Sequence, residues 1–436
     1  MSPQPLIESV HASLAHLPPG GIVVGFSGGM DSSVLLHVLT QVPDARARGL
    51  RAIHVDHGLH ADSTRWTQHC RTFATNLDIA LDVIAVDVER EAGTGLEDAA
   101  RRARRAAFAQ ALAPGEILAL AHHRDDQAET ILLKLLRGAG PEGLGGMRTL
   151  RAFGSGSIWR PLLGQPRSAL AEYAQHHSLR WIEDPSNADM HLRRNFLRQE
   201  ILPRLTLRWP DAPAALAHSA TWSRSAADLI QAQSIAALEK LRGPQAATLC
   251  WRDWLALPDA LRDPVLRYWL RDLDLDEPAH FHVIEIERQL QDAAPDRLPC
   301  VSWDGTEVRR YRDWMYAMRR TPPAAQSWQV DWDGRALDLP AGGTLTLQSD
   351  ARTNGAAAIA LQVRYRRGGE RLKAAGKPHT RELRLLLQEA GIPPWLRDQV
   401  PLIYADGELI AVADLFLSAA ARDLCARLNA RIEWKH

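Results

Sequence analysis

Three observations predict an α/β protein: a Rossmann-like parallel sheet domain, followed by a helical domain and a small α+β C-terminal domain. Between residues 21 and about 125, short apolar runs alternate with longer amphipathic ones, the pattern of a parallel sheet with helices on both faces. The first apolar run, Ile22-Val23-Val24, opens into a glycine- and serine-rich loop. Prolines gathered at 203–213 and 322–323 then punctuate the remainder.

The spacing predicts strands over 21–26, 50–55, 80–88 and 116–121, and helices over 32–39, 63–76 and 96–112. In an open parallel sheet, ligands sit beyond the carboxyl ends of the strands. Those positions are polar here. After the first strand comes Ser27-Gly28-Gly29-Met30-Asp31-Ser32-Ser33. After the second comes His54-Val55-Asp56-His57-Gly58, and after the fourth His122-His123-Arg124-Asp125-Asp126-Gln127-Ala128-Glu129-Thr130. Glycines in the first loop allow backbone N–H groups to converge on an anion, and the helix beginning near Asp31 points its positive end at the same place. Ser27, Ser32 and Ser33 add hydroxyl donors. The loop lacks the lysine of a Gly-x-x-x-x-Gly-Lys-Ser/Thr motif. A plain serine-glycine turn before a capped helix has the same composition, but the buried-type strand before it and Val34-Leu35-Leu36 after it favour a phosphate loop.

Asp125, Asp126 and Glu129 read either as a cation site or as a charged helix start that complements its dipole. His54, His57 and His60, spaced by three, could suggest a metal, but the turn at Gly58 breaks any common face and disfavours a cluster.

The chain has 436 residues, enough for about three domains. Its 52 basic and 52 acidic side chains cancel, but unevenly. Residues 1–100 carry 6 basic and 12 acidic groups, whereas 101–210 carry 17 and 10, and 364–397 carry 9 and 3. That asymmetry suits a polyanion held on part of the surface, although solvated helix faces also produce it. The four cysteines, Cys70, Cys250, Cys300 and Cys425, are far apart, which disfavours a disulfide framework, a zinc site and an iron–sulfur cluster. No apolar run reaches membrane-spanning length and no secretory leader pattern opens the chain, so a cytoplasmic protein without a membrane partner is expected.

The Ser-Gly-Gly-x-Asp-Ser loop resembles that of the PP-loop ATP pyrophosphatases, which cleave ATP between its α and β phosphates and activate a substrate as an adenylate. Further motifs narrow the resemblance. Glu97-x-x-x-Arg101-x-x-Arg104, His122-His123-x-Asp125-Asp126-x-x-Glu129-Thr130, Arg137-Gly138-x-Gly140-x-x-Gly143-Leu144-x-Gly146-Met147, Arg160-Pro161-Leu162-Leu163, Asp184-Pro185-Ser186-Asn187 and Arg194-Asn195-x-x-Arg198 are similar, in order and spacing, to the tRNA(Ile)-lysidine synthase family. The likeness returns at Arg366-Arg367-Gly368-Gly369-Glu370-Arg371 and at Gly391-Ile392-Pro393-Pro394-Trp395-Leu396-Arg397.

The resemblance implies a ligase that uses ATP and Mg²⁺ to join L-lysine to C2 of the wobble cytidine in the isoleucine tRNA with a CAU anticodon. It implies that residues 27–33, with His54 and His57, hold ATP and that Asp31 and Asp126 hold Mg²⁺, with Asp125 a further candidate. Asp31, Asp126, Glu129 and Arg194 become the catalytic candidates, with Glu129 the candidate base for lysine. An acid that binds the lysine ammonium and one that deprotonates it look alike in sequence, so that role stays open. Arg194 and Arg198 suit a phosphate or adenylate clamp, or else are helix-surface arginines. Arg198, Arg366, Arg367 and Arg371 are the candidate tRNA contacts. The oligomeric state is open, a homodimer included.

The expected domains are 1–213 (ATP-binding and catalytic), 214–320 (mainly helical), 321–355 (a β-prone connection) and 356–436 (tRNA-binding). Trp222, Trp251, Trp254 and Trp269 sit among apolar neighbours and are expected in the core. Ala405-Asp406-Gly407-Glu408 is a hairpin signal, and a helix over 380–390 should stop at Gly391. Competing readings are a 2-thiocytidine synthetase, whose cysteine pairs are missing here, an NAD- or GMP-type synthetase, and a silent tRNA-binding protein that would not need Asp31, Asp125, Asp126 and Glu129.

Overall fold

The computed structural model describes residues 4–88, 96–294, 297–320, 327–349 and 361–435, with the backbone alone at 96, 97 and 349. The Glu97 side chain therefore lies outside the described residues. The chain divides into two compact units, Met1–Ala232 and Gln233–His436.

The first unit opens with α1 (Gln4–Leu14), β1 (Ile22–Gly25), α2 (Met30–Thr40), α3 (Pro43–Ala47) and β2 (Arg51–Asp56). It continues with α4 (Ser63–Asn76), β3 (Leu81–Ala85), α5 (Leu96–Ala111), β4 (Ile117–Ala119) and α6 (Arg124–Leu135). Then come α7 (Pro141–Leu144), the hairpin of β5 (Leu150–Phe153) and β6 (Gly156–Trp159), α8 (Arg167–His176), α9 (Arg193–Phe196), α10 (Leu202–Arg208) and α11 (Ala212–Leu241). Among the described residues the sheet runs β3-β2-β1-β4-β6-β5, parallel except for β5. Ile22, Val23 and Val24 have no exposure, as expected of a central strand covered on both faces. From β1 the chain moves to β2 on one side and later returns to β4 on the other. The switch point thus falls between β1 and β4, with the glycine loop beyond one and the His122–Asp126 stretch beyond the other.

The expected strands and helices of this unit form within a few residues. The β5/β6 hairpin was not expected; it turns at Gly154, whose φ is +54°. Prolines near 203–213 do not break the chain. Pro203 sits in the first turn of α10 and Pro213 near the start of α11, where a missing N–H costs nothing. The helix begins where a domain break was expected and runs through the boundary between the units.

In the second unit, Thr248–Cys250, Trp314–Arg319, Thr306–Tyr311 and Cys300–Trp303 form an antiparallel sheet among the described residues. The region expected to be mainly helical keeps its helices, Trp251–Leu255, Asp259–Asp272 and His280–Asp292 among them, and adds this sheet to them. Its core gathers Trp254, Trp269, Leu266 and Ile286, whereas Trp222, on α11, is 68% exposed and bonded to His218. The β-prone stretch is not a separate connection: Gln329–Trp332 pairs with Leu361–Arg364, and Thr344–Ser349 with Ala430–Lys435, so both belong to the C-terminal sheets. Asp406 and Gly407 adopt φ of 49° and 80° between Leu402–Ala405 and Glu408–Val412, the expected tight hairpin. The helix Leu383–Glu389 ends before Gly391, at φ +76°. All four cysteines are free thiols. No helix among the described residues is long and apolar enough to cross a membrane.

Helix α2 packs on α8 through a cluster of rings. His37 Nδ1 lies 2.9 Å from the Tyr173 hydroxyl, and the His177 ring sits 4.8 Å from His37 and 4.9 Å from His176. Burial, then the nearness of His177, holds His37 below the ordinary imidazole pKa; burial, then His176, does the same for His177. Below about pH 6.5 the unfolded chain takes up protons here that the folded chain refuses. Stability is therefore complete above that pH and falls as the solution is acidified. Chemical-denaturation midpoints measured from pH 7.5 to 5 should decline, and His37→Gln should flatten that slope.

Candidate active site

The loop after β1 is shaped by its glycines. Gly28 takes φ +81°, and a Cβ there would meet Ile182 Cδ1 at 2.6 Å and Cys70 Sγ at 2.8 Å. Gly29 precedes α2 and offers no side chain to cap it, which leaves the first N–H groups of the helix open to an anion. Ser27 and Ser32 brace the loop: their hydroxyls lie 3.1 Å apart, and the Ser32 hydroxyl donates to the Gly29 carbonyl at 3.0 Å. Met30 turns into the core, so it can serve a ligand through its backbone alone. Ser33 is buried and its hydroxyl has no partner.

His54 is buried beneath the loop. Its Nδ1 lies 2.9 Å from the Phe26 carbonyl and 3.5 Å from Cys70 Sγ, so it supports the loop rather than lining it. His57 is half-buried; burial, then the Arg104 charge, lowers its pKa, and its Nδ1 has no partner. Among the described residues neither ring has a hydrogen bond to the loop residues 27–33. Among the described residues no group of three or more His, Cys, Asp or Glu could hold a metal by itself.

Across the switch point, His123 caps α6. Its Nδ1 accepts from the Asp126 N–H at 3.4 Å, and its own N–H donates to Asp126 Oδ2 at 3.0 Å. The fully buried ring turns Nε2 towards Asp31 Oδ2, 3.6 Å away, and Asp126 Oδ2, 3.4 Å away. Burial opposes a charge on His123, but Asp31, Asp126 and Asp125 outweigh it and raise its pKa. Burial likewise works against ionised Asp126, and His123, Arg194 and His122 more than compensate, holding it below the ordinary carboxylate value. His122 is pushed down to about 3 by burial, with Arg160, Arg194 and Arg101 adding repulsion, so it is neutral near pH 7.

The arginines of the 194–198 segment reach the same helix. Arg194 donates from Nε to Glu129 Oε2 at 2.6 Å and from Nη2 to Asp126 Oδ1 at 3.0 Å. Arg198 donates from Nε to Glu129 Oε1 at 2.6 Å and from Nη2 to Asp126 Oδ1 at 2.9 Å. Residues Leu197–Ile201 form a π-helical turn, a widening often found at functional sites. Asn195 ties this segment down by donating to the carbonyls of Ser186 and Asp189, 2.9 Å each.

Glu129 has no exposure and both its oxygens are taken by guanidinium groups. Offered by the sequence as the candidate base for lysine, Glu129 holds two arginines in this structure. Asp31 retains a buried Oδ1 without a partner, which fits a divalent cation whose remaining shell is phosphate oxygen and water. Asp126 is largely committed to Arg194, Arg198 and His123, while Asp125 turns towards the Arg167 N–H at 2.9 Å.

The C-terminal candidates separate. Arg366 is mostly buried and paired with Glu370 at 3.5 Å and Asp398 at 3.4 Å, so its charge is spent on these two carboxylates. Arg367 is exposed and donates to Gln329, and Arg371 is exposed.

The PP-loop domain model matches residues 4–205, the TilS substrate binding domain model residues 249–316, and the TilS substrate C-terminal domain model residues 361–434. The chain is 45% identical, over 96% of its length and 96% of theirs, to the tRNA(Ile)-lysidine synthase of Xanthomonas campestris pv. campestris. It is 44% identical to that of Xylella fastidiosa, over 98% of each chain. The chain belongs to the tRNA(Ile)-lysidine synthase family. The tRNA(Ile)-lysidine synthase of Pseudomonas aeruginosa is 41% identical, covering 91% of this chain and 90% of its own. Among solved structures, the U34-tRNA thiolase NcsA from Methanococcus maripaludis matches with a TM-score of 0.43 and 17% identity, over 50% of this chain and 76% of its own.

Within this family member, the residues that sequence reasoning left out of the site are His122, His123 and Cys70. The histidines stood in a quoted motif. The Cys70 contact leaves no local signal, because it comes from α4. Gly28→Ala should destabilise the protein by about 1–2 kcal/mol, since the left-handed backbone is retained against a Cβ penalty. It should also lose ATP turnover; urea melts beside an AMP-release assay check both.

Proposed function

We propose that this chain is an ATP-dependent ligase that joins L-lysine to C2 of the wobble cytidine of the CAU-anticodon isoleucine tRNA, yielding lysidine, AMP and pyrophosphate. The observation that carries the reading is the end-to-end similarity to lysidine synthases, which spans the glycine loop, the carboxylate helix and the C-terminal domains together.

The cytidine C2 oxygen is a poor leaving group. In the first step it attacks the α-phosphate of ATP: an O–P bond forms, the bridge to the β-phosphate breaks, and pyrophosphate departs. The open N–H groups at the start of α2, with Ser27 and Ser32, are placed to receive that anion. Mg²⁺ held by Asp31, with Asp126 sharing, would neutralise charge on the departing phosphates. In the second step the lysine amine attacks C2 and AMP leaves with the oxygen. Free lysine has a pKa of about 10.4, so roughly one molecule in a few thousand is neutral near pH 7. The proton must be lost at the site, and Glu129 is not open to take it. Arg194 and Arg198, held as a rigid pair and still partly exposed, suit the adenylate phosphate.

Binding of tRNA has its own support. Arg160 is lowered to about 10 by burial and by the charges of Arg151, Arg101 and Arg105, and none of these four has an ion pair among the described residues. Unneutralised positive charge on the PP-loop domain itself suits an RNA backbone. Exposed Arg367 and Arg371 suit a second contact. On this reading the enzyme works in the cytoplasm.

The test is incubation with ATP, Mg²⁺, labelled lysine and an unmodified CAU isoleucine transcript, beside the methionine tRNA with the same anticodon. Lysine entering the first alone, with AMP released, is expected; AMP without lysine would point to another nucleophile. In the same assay Asp31→Ala should abolish AMP release while tRNA affinity, read by filter binding, stays within a few-fold.

A further inference from the structure

Between Asp126 and Glu129 on α6 stands a third buried polar side chain, Gln127, that the reaction above does not use. Its amide forms a two-way pair with the backbone of Met147. The Met147 N–H donates to Oε1 at 2.7 Å, and Nε2 donates to the Met147 carbonyl at 3.0 Å. The same carbonyl accepts from Arg224 Nη2 at 2.7 Å, and Arg224 Nε donates to the Gly145 carbonyl at 3.1 Å. Arg224 lies on α11, where Asp228, one turn on, pairs with Arg148. The approach is close and suits glycine: a Cβ on Gly145 would lie 3.3 Å from Arg224 Cα, and one on Gly146, whose φ of +63° favours glycine, would lie 2.8 Å from Gln127 Oε1.

We propose that Gln127 and Arg224 together clamp the Met147 backbone and hold the first turn of α6 in catalytic register. Asp126 sits in that turn and Glu129 in the next, and Arg194 and Arg198 take their places from them. Arg224 is thus a positioning residue for the chemical step, reaching the site through Met147 and Gln127. Its Nε and Nη2 are spent on main-chain carbonyls, so it acts on geometry and not on tRNA. The inference rests on the lysidine-forming reading, for which lysine incorporation by the unaltered protein is the separate control.

A misplacement of about 1 Å can cost on the order of a hundredfold in rate. Arg224→Ala should therefore lower kcat for tRNA-dependent AMP formation by about 10- to 100-fold, with KM for ATP and Kd for tRNA within about threefold. Arg224→Lys, which keeps a donor, should recover part of the rate. Gln127→Ala should behave alike, and the double variant should be no worse than the poorer single one, because both act through one carbonyl. Thermal melts establish that each variant is folded. Where an alanine variant is not, Arg224→Lys decides by the same split between kcat and KM. Unchanged kcat with weakened tRNA binding would make Arg224 a tRNA contact, and multiplying losses would make the two residues independent; either result overturns the clamp. Absence of lysine incorporation by the unaltered protein, with AMP still released, would instead reject the lysidine reading and leave the clamp to be judged on AMP.

Discussion

A carboxylate with no exposure to water is the constraint on which the catalytic unit is built. Burying Glu129 would cost several kcal/mol were it not paired on both oxygens, and the pairing comes from two arginines about 65 residues further along the chain. Removing one partner of such a pair leaves a charge stranded, which costs about 3–5 kcal/mol. The segment that carries Arg194 and Arg198 must therefore return to α6 whenever the unit is folded.

That requirement closes a ring. Arg194 and Arg198 hold Asp126 and Glu129; Asp126 pairs with His123, and His123 faces Asp31 at the start of α2. The loop before α2 meets Ile182, whose N–H donates to the Gly28 carbonyl at 2.9 Å. From Ile182 the chain passes to Asp184, which caps Ser186, and Ser186 receives the Asn195 amide. Asn195 adjoins Arg194. The phosphate loop and the carboxylate helix are thus held at a set separation by side chains rather than by the sheet alone. Negative and positive groups also sort themselves: Asp31 keeps a buried oxygen without a partner, whereas Glu129 and most of Asp126 are neutralised by arginine.

Much of the first unit was legible from local pattern. Buried β-branched runs such as 22–24 form strands wherever both faces are covered, and a serine-glycine loop after such a run has few other uses. Turn chemistry was equally readable at Asp406-Gly407 and at Gly391, where positive φ selects the residue. Less legible were the second unit's sheet and the pairing of residues 329–349 with strands at 361–364 and 430–435, since strand partners far apart in sequence leave no periodic trace.

The chain's residues alone determined the α/β class, the position of the phosphate loop at a strand end, and the family motifs that point to ATP and tRNA(Ile). Tertiary structure decided what each polar residue does. His54 went under the loop with Cys70, Glu129 became the anchor of two arginines, and Arg366 was consumed by Glu370 and Asp398. The physical reason is that backbone conformation depends on neighbours in sequence, whereas the role of a charged side chain depends on burial and on the opposite charge within about 4 Å. That partner is chosen by the fold.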